Sequence, residues 1–241
     1  MPGQVTVAAK AEFTLPALEK GMTAILKVKL AAGEKCWDNQ WNFWVFPSGE
    51  FTMPANVKVL EKLDDQAIRF IADGGCVVLT DNYPAVANME NFRTHTSGRS
   101  IGHSGALMNP HPIWDKFPHA GHLDWQFYPM MYESHSMTYS KDMPEFAPIF
   151  RLIPSFKMVK HKSMLSEFAV GKGRLIISGF RFDADDPAAK YMFRVICEYL
   201  GSGDFASAPV WEPEALTKAN ASAGIIGRCG KKVDAGGRPF T

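Results

Sequence analysis

The stretch VKVLEKLDDQAIRFIADGGCVVLT, residues 57–80, decides the fold of this 241-residue chain. Residues 57–60 read as a short strand, and residues 64–73 predict a helix because their apolar side chains recur at helical spacing. Glycines at 74–75 follow, where a left-handed residue ends a helix. Residues 76–80 then read as a buried strand. This order predicts a βαβ unit, and the continuously apolar second strand favours a parallel sheet covered on both faces.

Regular elements return later in the chain. Three further strands are predicted at 147–154, 162–169 and 174–178. A helix is predicted at 187–200, with Asp186 as its N-cap and Gly201 as its stop. Residues 49–205 are therefore predicted to form an α/β domain with a parallel sheet flanked by helices, and the irregular residues 81–145 make long excursions from it. Residues 206–241 lose all periodicity, which predicts a flexible C-terminal extension.

Residues 1–48 differ in pattern from the α/β part. Polar and apolar residues alternate in short runs separated by turn residues, which is typical of antiparallel strands. The runs are residues 4–9, 11–15, 22–30 and 38–47. Three or four strands cannot close a sandwich alone, because a sheet needs a second layer over its apolar face. We interpret this segment as partial β-sandwich strands.

Tryptophan and asparagine are concentrated around the last of these strands, at Trp37, Asn39, Trp41, Asn42 and Trp44. Exposed tryptophans beside amides are one way in which proteins hold sugars, because the ring stacks on the sugar and the amides bond its hydroxyls. However, Trp41 and Trp44 are three positions apart and would face opposite sides of a strand. Packing at the domain junction is the favoured role, and sugar binding is the alternative.

The composition argues against two classes of partner. Lys and Arg total 26 against 25 for Asp and Glu, so no net field attracts nucleic acid or an anionic membrane. No stretch approaches the ~18 apolar residues that a spanning helix needs. Residues 1–10 lack the charged start and apolar run of a signal peptide. We predict neither a nucleic-acid nor a membrane partner, and the sequence leaves the localisation open.

Several segments, by their order and spacing, resemble the C-terminal region of large bacterial glycoside hydrolases of the family 2 type, which are β-galactosidase-like. They are NFWVFP at 42–47, ADGGCVVL at 72–79, HP at 111–112 with FP at 117–118, DWQ at 124–126 and EFAVGKGRL at 167–175. The resemblance implies the end of a β-sandwich followed by a class I glutamine amidotransferase-like domain of flavodoxin-like fold. It also implies an upstream catalytic barrel with two carboxylates. A parent enzyme of this kind would be compatible with the periplasm or with secretion.

A working class I amidotransferase needs a cysteine on a sharp strand-to-helix turn, activated by a histidine and a glutamate. Of the four cysteines, Cys76 starts a strand, Cys197 lies within a helix, Cys36 precedes a sandwich strand and Cys229 falls in the extension. We therefore predict no glutaminase activity and no catalytic residue in this chain.

Candidate ligand-binding residues gather in the irregular segment 103–126. They are His103, His111, His119, His122, Asp124, Trp125 and Gln126. Three of them, His119, His122 and Asp124, could supply ligands to a divalent metal from one loop. The favoured interpretation is that these residues hold the loop to the sheet by hydrogen bonds, and a small polar ligand such as a sugar is the other alternative. We predict no cofactor.

Two functions follow from these patterns. The first is a non-catalytic accessory module of a carbohydrate-active glycoside hydrolase, which supports architecture, oligomerisation or substrate access. Its partner would be an upstream catalytic domain or a sister subunit, with a carbohydrate ligand and a homo-oligomer both open. The second is a free-standing small-molecule or metal-binding hydrolase that uses the 103–126 loop. Asp124 and Glu167 are the carboxylates to test as an acid/base pair, although no pattern brings them together.

Overall fold

The computed structural model describes residues 7, 9–81, 83–84, 86–90, 103–132, 134–139, 142–154, 161–182 and 185–223. The side chains of residues 86–90, 103–104, 154 and 222–223 are not among those described. The described strands are β1 Met22–Ala32, β2 Lys35–Val45, β3 Val57–Leu60, β4 Cys76–Leu79, β5 Val86–Glu90, β6 His103–Met108, β7 Ser134–Thr138, β8 Phe150–Pro154, β9 Lys162–Val170 and β10 Gly173–Ser178. The described α-helices are α1 Asp65–Ala72, α2 Tyr128–Met131, α3 Pro187–Ser202 and α4 Pro213–Ala223.

The predicted βαβ unit is confirmed as β3, α1 and β4. Asp64 caps α1, since its Oδ1 accepts a hydrogen bond from the Ala67 N–H at 2.7 Å. Gly74 follows the helix with a φ of 116°, a backbone conformation that favours glycine. β3 and β4 then pair in parallel, with Val57 opposite Cys76.

The main sheet is mixed, which corrects the prediction of a parallel sheet. Its eight described strands run in the order β3-β4-β10-β9-β7-β5, with β8 pairing with β9 and with β6. Parallel pairing joins β3 to β4 and β4 to β10, and the remaining described pairs are antiparallel. A tight turn joins β9 to β10, with Gly171 at a φ of 58°. Such a turn can connect only antiparallel strands, because a parallel connection needs a long crossover.

Helices cover both faces of this sheet, so the α/β class is correct. Val78 and Ile176 are buried on the face that packs against α3. Val77 and Leu175 are buried on the opposite face with residues of α1 and α4. None of the described helices is long and apolar enough to cross a lipid bilayer.

The N-terminal strands β1 and β2 form a separate two-stranded antiparallel sheet, which we call the ribbon. They pair over their full length from Met22–Val45 to Ala32–Lys35 around a turn at Gly33. Residues 11–15 form no strand, contrary to the prediction, and the predicted strand at 4–9 lies largely outside the described residues. The small N-terminal antiparallel segment is therefore confirmed as two long strands.

The end of the described chain forms a helix, where a flexible extension was predicted. α4 follows Trp211, which is 1% exposed, and contributes Leu216, which is fully buried beside α1. The side-chain amide of Asn220 donates to the Leu63 carbonyl at 2.9 Å. This part of the chain therefore completes the α1 face of the core, and residues 224–241 lie outside the described residues.

Candidate functional site

The histidine-rich segment, residues 103–126, crosses the α3 side of the sheet. His111 anchors it there. This residue caps a short 3₁₀-helix, Pro112–Asp115, because its Nδ1 accepts from the Ile113 N–H at 3.3 Å. Its Nε2 lies 2.9 Å from Oε2 of Glu167 on β9. With Nδ1 accepting, the ring proton sits on Nε2 and is donated to the carboxylate.

Glu167 is the centre of a buried polar network. Its side chain is 4% exposed, and the Tyr199 hydroxyl lies 3.0 and 2.9 Å from its two oxygens. Arg174 Nε is 3.4 Å from Oε1. Burial raises the pKa of Tyr199 above its usual range, and the Glu167 carboxylate raises this pKa further. The phenol therefore stays protonated and donates to the carboxylate, which a buried charge requires.

This network connects distant parts of the domain. It joins β9, β10, α3 and the 3₁₀-helix at 112–115 through one carboxylate. The guanidinium of Arg174 also lies over the Phe205 ring at 4.6 Å, and the Ala206 N–H donates to the Tyr199 oxygen at 2.8 Å. The Glu167 and His111 side chains are only 4% and 7% exposed, so a substrate does not reach them. The network therefore holds the 3₁₀-helix at 112–115 against the sheet.

The proposed metal ligands are used within their own turns. His119 Nδ1 accepts from the Gly121 N–H at 3.0 Å, and burial lowers the pKa of His119. His122 Nδ1 donates to the Ala120 carbonyl at 3.0 Å, whereas Asp124 accepts from the Trp125 N–H at 2.8 Å. Among the described residues, no three His, Cys, Asp or Glu side chains gather closely enough to hold a metal ion. The structure thus does not assemble the predicted ligand set.

The other candidates of this segment also lie apart. Gln126 is buried, its amide donates to the Pro118 carbonyl at 3.1 Å, and its Oε1 has no hydrogen-bond partner among the described residues. Trp125 is 67% exposed, with its ring 5.9 Å from that of Tyr128. His103 lies on β6 opposite Pro154. Apart from the contact of His111 with Glu167, the hydrogen bonds described for these candidates are local, and Trp125 is the exposed aromatic among them.

The described cysteines do not form a nucleophile site. Cys76 is buried as the first residue of β4, and desolvation raises the pKa of its thiol. Cys197 is buried in α3, where desolvation raises the pKa to about 12. A protonated, buried thiol is a poor nucleophile. Cys36 is exposed on the ribbon, and Cys229 lies outside the described residues.

A cleft that the sequence analysis missed lies at the carboxyl ends of the three parallel strands. It has a volume of about 450 Å³. Its polar lining comes from residues within three positions after the ends of β3, β4 and β10 or at the start of β7, namely Glu61, Thr80, Asp81, Arg181, Ser134 and His135. In sheets of this kind ligands bind at the carboxyl ends of parallel strands, because adjacent loops diverge there. The acidic residues just after β3 and β4, Glu61 and Asp81, were the available signal.

The floor of this cleft is tied together by hydrogen bonds. The Tyr83 hydroxyl lies 3.0 Å from the Ser178 carbonyl and 3.2 Å from the Thr80 carbonyl, which joins the ends of β4 and β10. The Arg181 backbone N–H donates to the Met130 carbonyl at 2.8 Å, and its guanidinium lies 3.4 Å from the Tyr132 carbonyl. These hydrogen bonds hold in place the backbone that carries the polar side chains of the cleft.

Comparison with known families shows which family the chain belongs to. A family model described as a domain of unknown function, DUF8487, matches residues 58–220, which is more than half of the chain. The chain belongs to the DUF8487 family. No curated protein matches it.

The limits of the DUF8487 match agree with the structural division of the chain. The match begins inside β3 and ends inside α4, so it includes the cleft, the Glu167 network and the helix that covers α1. The ribbon lies outside it. The DUF8487 domain is thus the α/β domain together with α4.

Proposed function

We propose that this chain is a non-catalytic accessory module of a carbohydrate-active glycoside hydrolase. In this proposal a flavodoxin-like, amidotransferase-like DUF8487 domain carries the last strands of a β-sandwich. The observation that carries the proposal is the exposed apolar face of the ribbon. The order of motifs that resembles family 2-type glycoside hydrolases supports the choice of parent enzyme.

The two faces of the ribbon differ in character. The apolar face consists of Met22, Ala24, Leu26, Val28 and Leu30 opposite Val45, Phe43, Trp41, Asn39 and Trp37. The other face is more polar, with Lys27 opposite Gln40, Lys29 opposite Asp38 and Ile25 opposite Asn42, and with Trp44 opposite Thr23 at the end next to the domain. This division is the one expected of a sheet with one face toward a core and one toward water.

The apolar face of the ribbon is open to solvent in the chain alone. Trp37, Trp41 and Phe43 are 52%, 46% and 51% exposed, and Leu30 is 60% exposed. An apolar patch of this extent is typical of a surface that another element covers. A two-stranded sheet is also only marginally stable by itself. The cover we infer is the facing sheet of a β-sandwich in the hydrolase, because stacked sheets interdigitate side chains of this kind.

The ribbon is attached firmly to the DUF8487 domain. The Gly21 N–H donates to the Tyr191 hydroxyl at 2.9 Å. The Phe46 ring lies 5.5 Å from the rings of both Phe117 and Tyr191. A side chain at position 21 would come within 2.7 Å of Pro118, so the contact needs glycine. These contacts support an architectural role, since they hold a covered ribbon and the domain in one arrangement.

The test compares three proteins: the longer gene product that the proposal requires, the same product without residues 1–241, and residues 1–241 alone. We expect the longer product to hydrolyse aryl glycosides and the chain alone to hydrolyse none. Removing the chain should lower the melting temperature, the assembly state or the affinity for substrate, with kcat unchanged. Hydrolysis by the chain alone would contradict the proposal, as would a deletion that changes none of these three properties.

Substitutions on the two faces of the ribbon sharpen this test. The double variant Leu26→Lys with Trp41→Lys places charge on the apolar face and should reproduce the effect of the deletion. The control, Gln40→Lys with Asn42→Lys, places the same added charge on the other face, opposite Lys27 and Ile25, and should have no such effect. Equal effects of the two variants would show that the apolar face is not the docking surface.

A further inference from the structure

We propose that the cleft at the carboxyl ends of β3, β4 and β10 binds a neutral, polyhydroxylated small molecule of the saccharide class. The site goes beyond the accessory role, because it lies on the DUF8487 domain and does not involve the ribbon. Its cavity of about 450 Å³ falls within the range of roughly 300–1,000 Å³ that is usual for small-molecule sites.

The cleft presents charges of both signs. Glu61 and Asp81 contribute carboxylates, and Arg181 contributes a guanidinium that also lies 3.4 Å from the Tyr132 carbonyl. A ligand with a net negative charge would face two carboxylates, so the lining disfavours an anion. A molecule with several hydroxyls carries no such penalty, since a hydroxyl can donate to a carboxylate and accept from a guanidinium.

Aromatic rings supply the apolar part of the cleft. Phe182 and Phe193 line it with their ring centroids 5.3 Å apart, and both rings are only partly buried. A saccharide has C–H faces as well as hydroxyls, so it can pack on such rings while its hydroxyls reach the polar side chains. The mixture of aromatic and hydrogen-bonding groups therefore fits this ligand class.

The backbone around the cleft is built to bring His135 into its wall. A Cβ at position 179 would lie 2.0 Å from the His135 carbonyl, so only glycine lets β7 approach the end of β10 this closely. The Gly179 N–H donates to the Met164 carbonyl at 2.7 Å, which holds this approach in place. The cleft wall is therefore a preformed feature, which lowers the cost of binding.

The test is a titration of the full chain with D-glucose, D-galactose and D-mannose. Calorimetry and NMR of the histidine and aromatic resonances measure the binding. Glucuronate and glucosamine serve as the charged counterparts. We expect saturable binding of at least one neutral sugar, with both charged counterparts weaker. Asp81→Asn should weaken this binding about tenfold, because it removes a charged hydrogen-bond acceptor.

Matched variants distinguish the cleft from other surfaces. Asp204→Asn changes an exposed carboxylate that does not line the cleft and should leave the affinity unchanged. Phe182→Leu removes one ring of the aromatic wall and should also weaken binding. It provides the test of the cleft if Asp81→Asn fails to fold. Trp125→Ala removes the exposed ring of the histidine-rich segment and should have no effect.

Several results would overturn the inference. They are an absence of saturable binding by all three neutral sugars, tighter binding of a charged counterpart, or full affinity in both cleft variants. Loss of binding in Trp125→Ala with retention in Asp81→Asn would move the site elsewhere. None of these results bears on the ribbon, so the accessory role stands or falls on its own experiment.

Discussion

Glu167 illustrates at the scale of one residue how this domain accommodates a buried charge. Its carboxylate is surrounded by the hydroxyl of Tyr199, the Nε2 of His111 and the guanidinium of Arg174. A buried carboxylate without such partners would be neutralised or would destabilise the fold. The partners come from elements on both sides of the residue in sequence, so the charge ties those elements together.

Replacing Glu167 with glutamine should destabilise the domain by about 3 kcal/mol, the range seen when one partner of a buried ion pair is removed. The new amide would present N–H donors to groups that are themselves donors. Urea unfolding followed by circular dichroism measures the change. The control is Glu50→Gln, since Glu50 is exposed and should change stability by less than about 0.5 kcal/mol. Equal stability of the two variants would show that the Glu167 network does not stabilise the fold.

His119 makes the stability depend on pH in a defined direction. Burial lowers the pKa of His119 below 6.5 in the folded state, so the unfolded chain binds the proton more readily. The contribution of this residue is complete above the unfolded pKa and is lost as the pH falls from 6.5 through the folded pKa. Protonation also removes the Nδ1 acceptor of the Gly121 N–H.

His119→Asn keeps an acceptor for the Gly121 N–H and removes the titration. The variant should therefore lose less stability than the wild type between about pH 7.5 and 5.5, a window that brackets the ordinary histidine pKa. Urea midpoints at the two pH values measure the difference. His122→Asn, at an exposed neighbouring histidine, should retain the wild-type loss. An unchanged pH dependence in His119→Asn would contradict the assignment.

At the scale of elements, helix α3 shows how well local signals define a helix. Asp186 Oδ1 accepts from the N–H groups of Ala188 and Ala189 at 2.8 and 3.1 Å, and Pro187 occupies the first helical position, as predicted. The helix ends at Ser202, with Gly203 at a φ of 79°. The predicted stop at Gly201 was two residues early, because the second of two nearby glycines takes the left-handed conformation.

Asp186→Ala should reduce the stability by about 1 kcal/mol, the usual cost of losing an N-cap. The matched control is Asp185→Ala, at the preceding position, where the carboxylate is exposed and contacts Lys190. The pKa of Asp185 is lowered by its hydrogen bond to Lys190, but water screens such an exposed pair, so the unfolding midpoint of this control should not change. An equal loss in both variants would show that general charge near the helix start, and not the cap, is responsible.

At the scale of the whole molecule, the close approach of α1, β4 and β10 decides how the domain packs. A Cβ at Gly173 would lie 2.0 Å from the Gly75 carbonyl and 2.2 Å from the Ile71 carbonyl. Both obstacles are backbone atoms, so a larger residue must move the helix or the strand. Gly173 therefore sets the distance at which the helix and the two strands meet.

Gly173→Ala should destabilise the domain by about 1–3 kcal/mol, the range for overpacking at a tight site. Gly49→Ala is the control, since a Cβ there meets no atom within 4 Å, and it should be neutral or slightly stabilising. Thermal unfolding monitored by circular dichroism compares the two. A neutral Gly173→Ala would indicate that α1 can shift without cost.

Much of the local structure was predictable from short patterns. The βαβ unit, the capped helix α3 and the alternation of the ribbon all follow from caps, glycine positions and periodicity within about twenty residues. Trp41 lies opposite Leu26 and Trp44 opposite Thr23, so the two tryptophans occupy opposite faces as their spacing predicted. α4 was missed because its buried positions depend on the distant surface of α1.

The sequence by itself thus determined the βαβ unit, helix α3, the α/β class and the two-faced ribbon, because these depend on interactions between near neighbours along the chain. It did not predict β5, β6, β7 or α4. Only the tertiary structure decided the mixed sheet order, the partners of Glu167 and the cleft. Tyr199 and His111 are 32 and 56 residues from Glu167, and the cleft draws on the ends of several strands. Such sites depend on which strands lie side by side, and that arrangement is set by burial of the whole core and not by any local pattern.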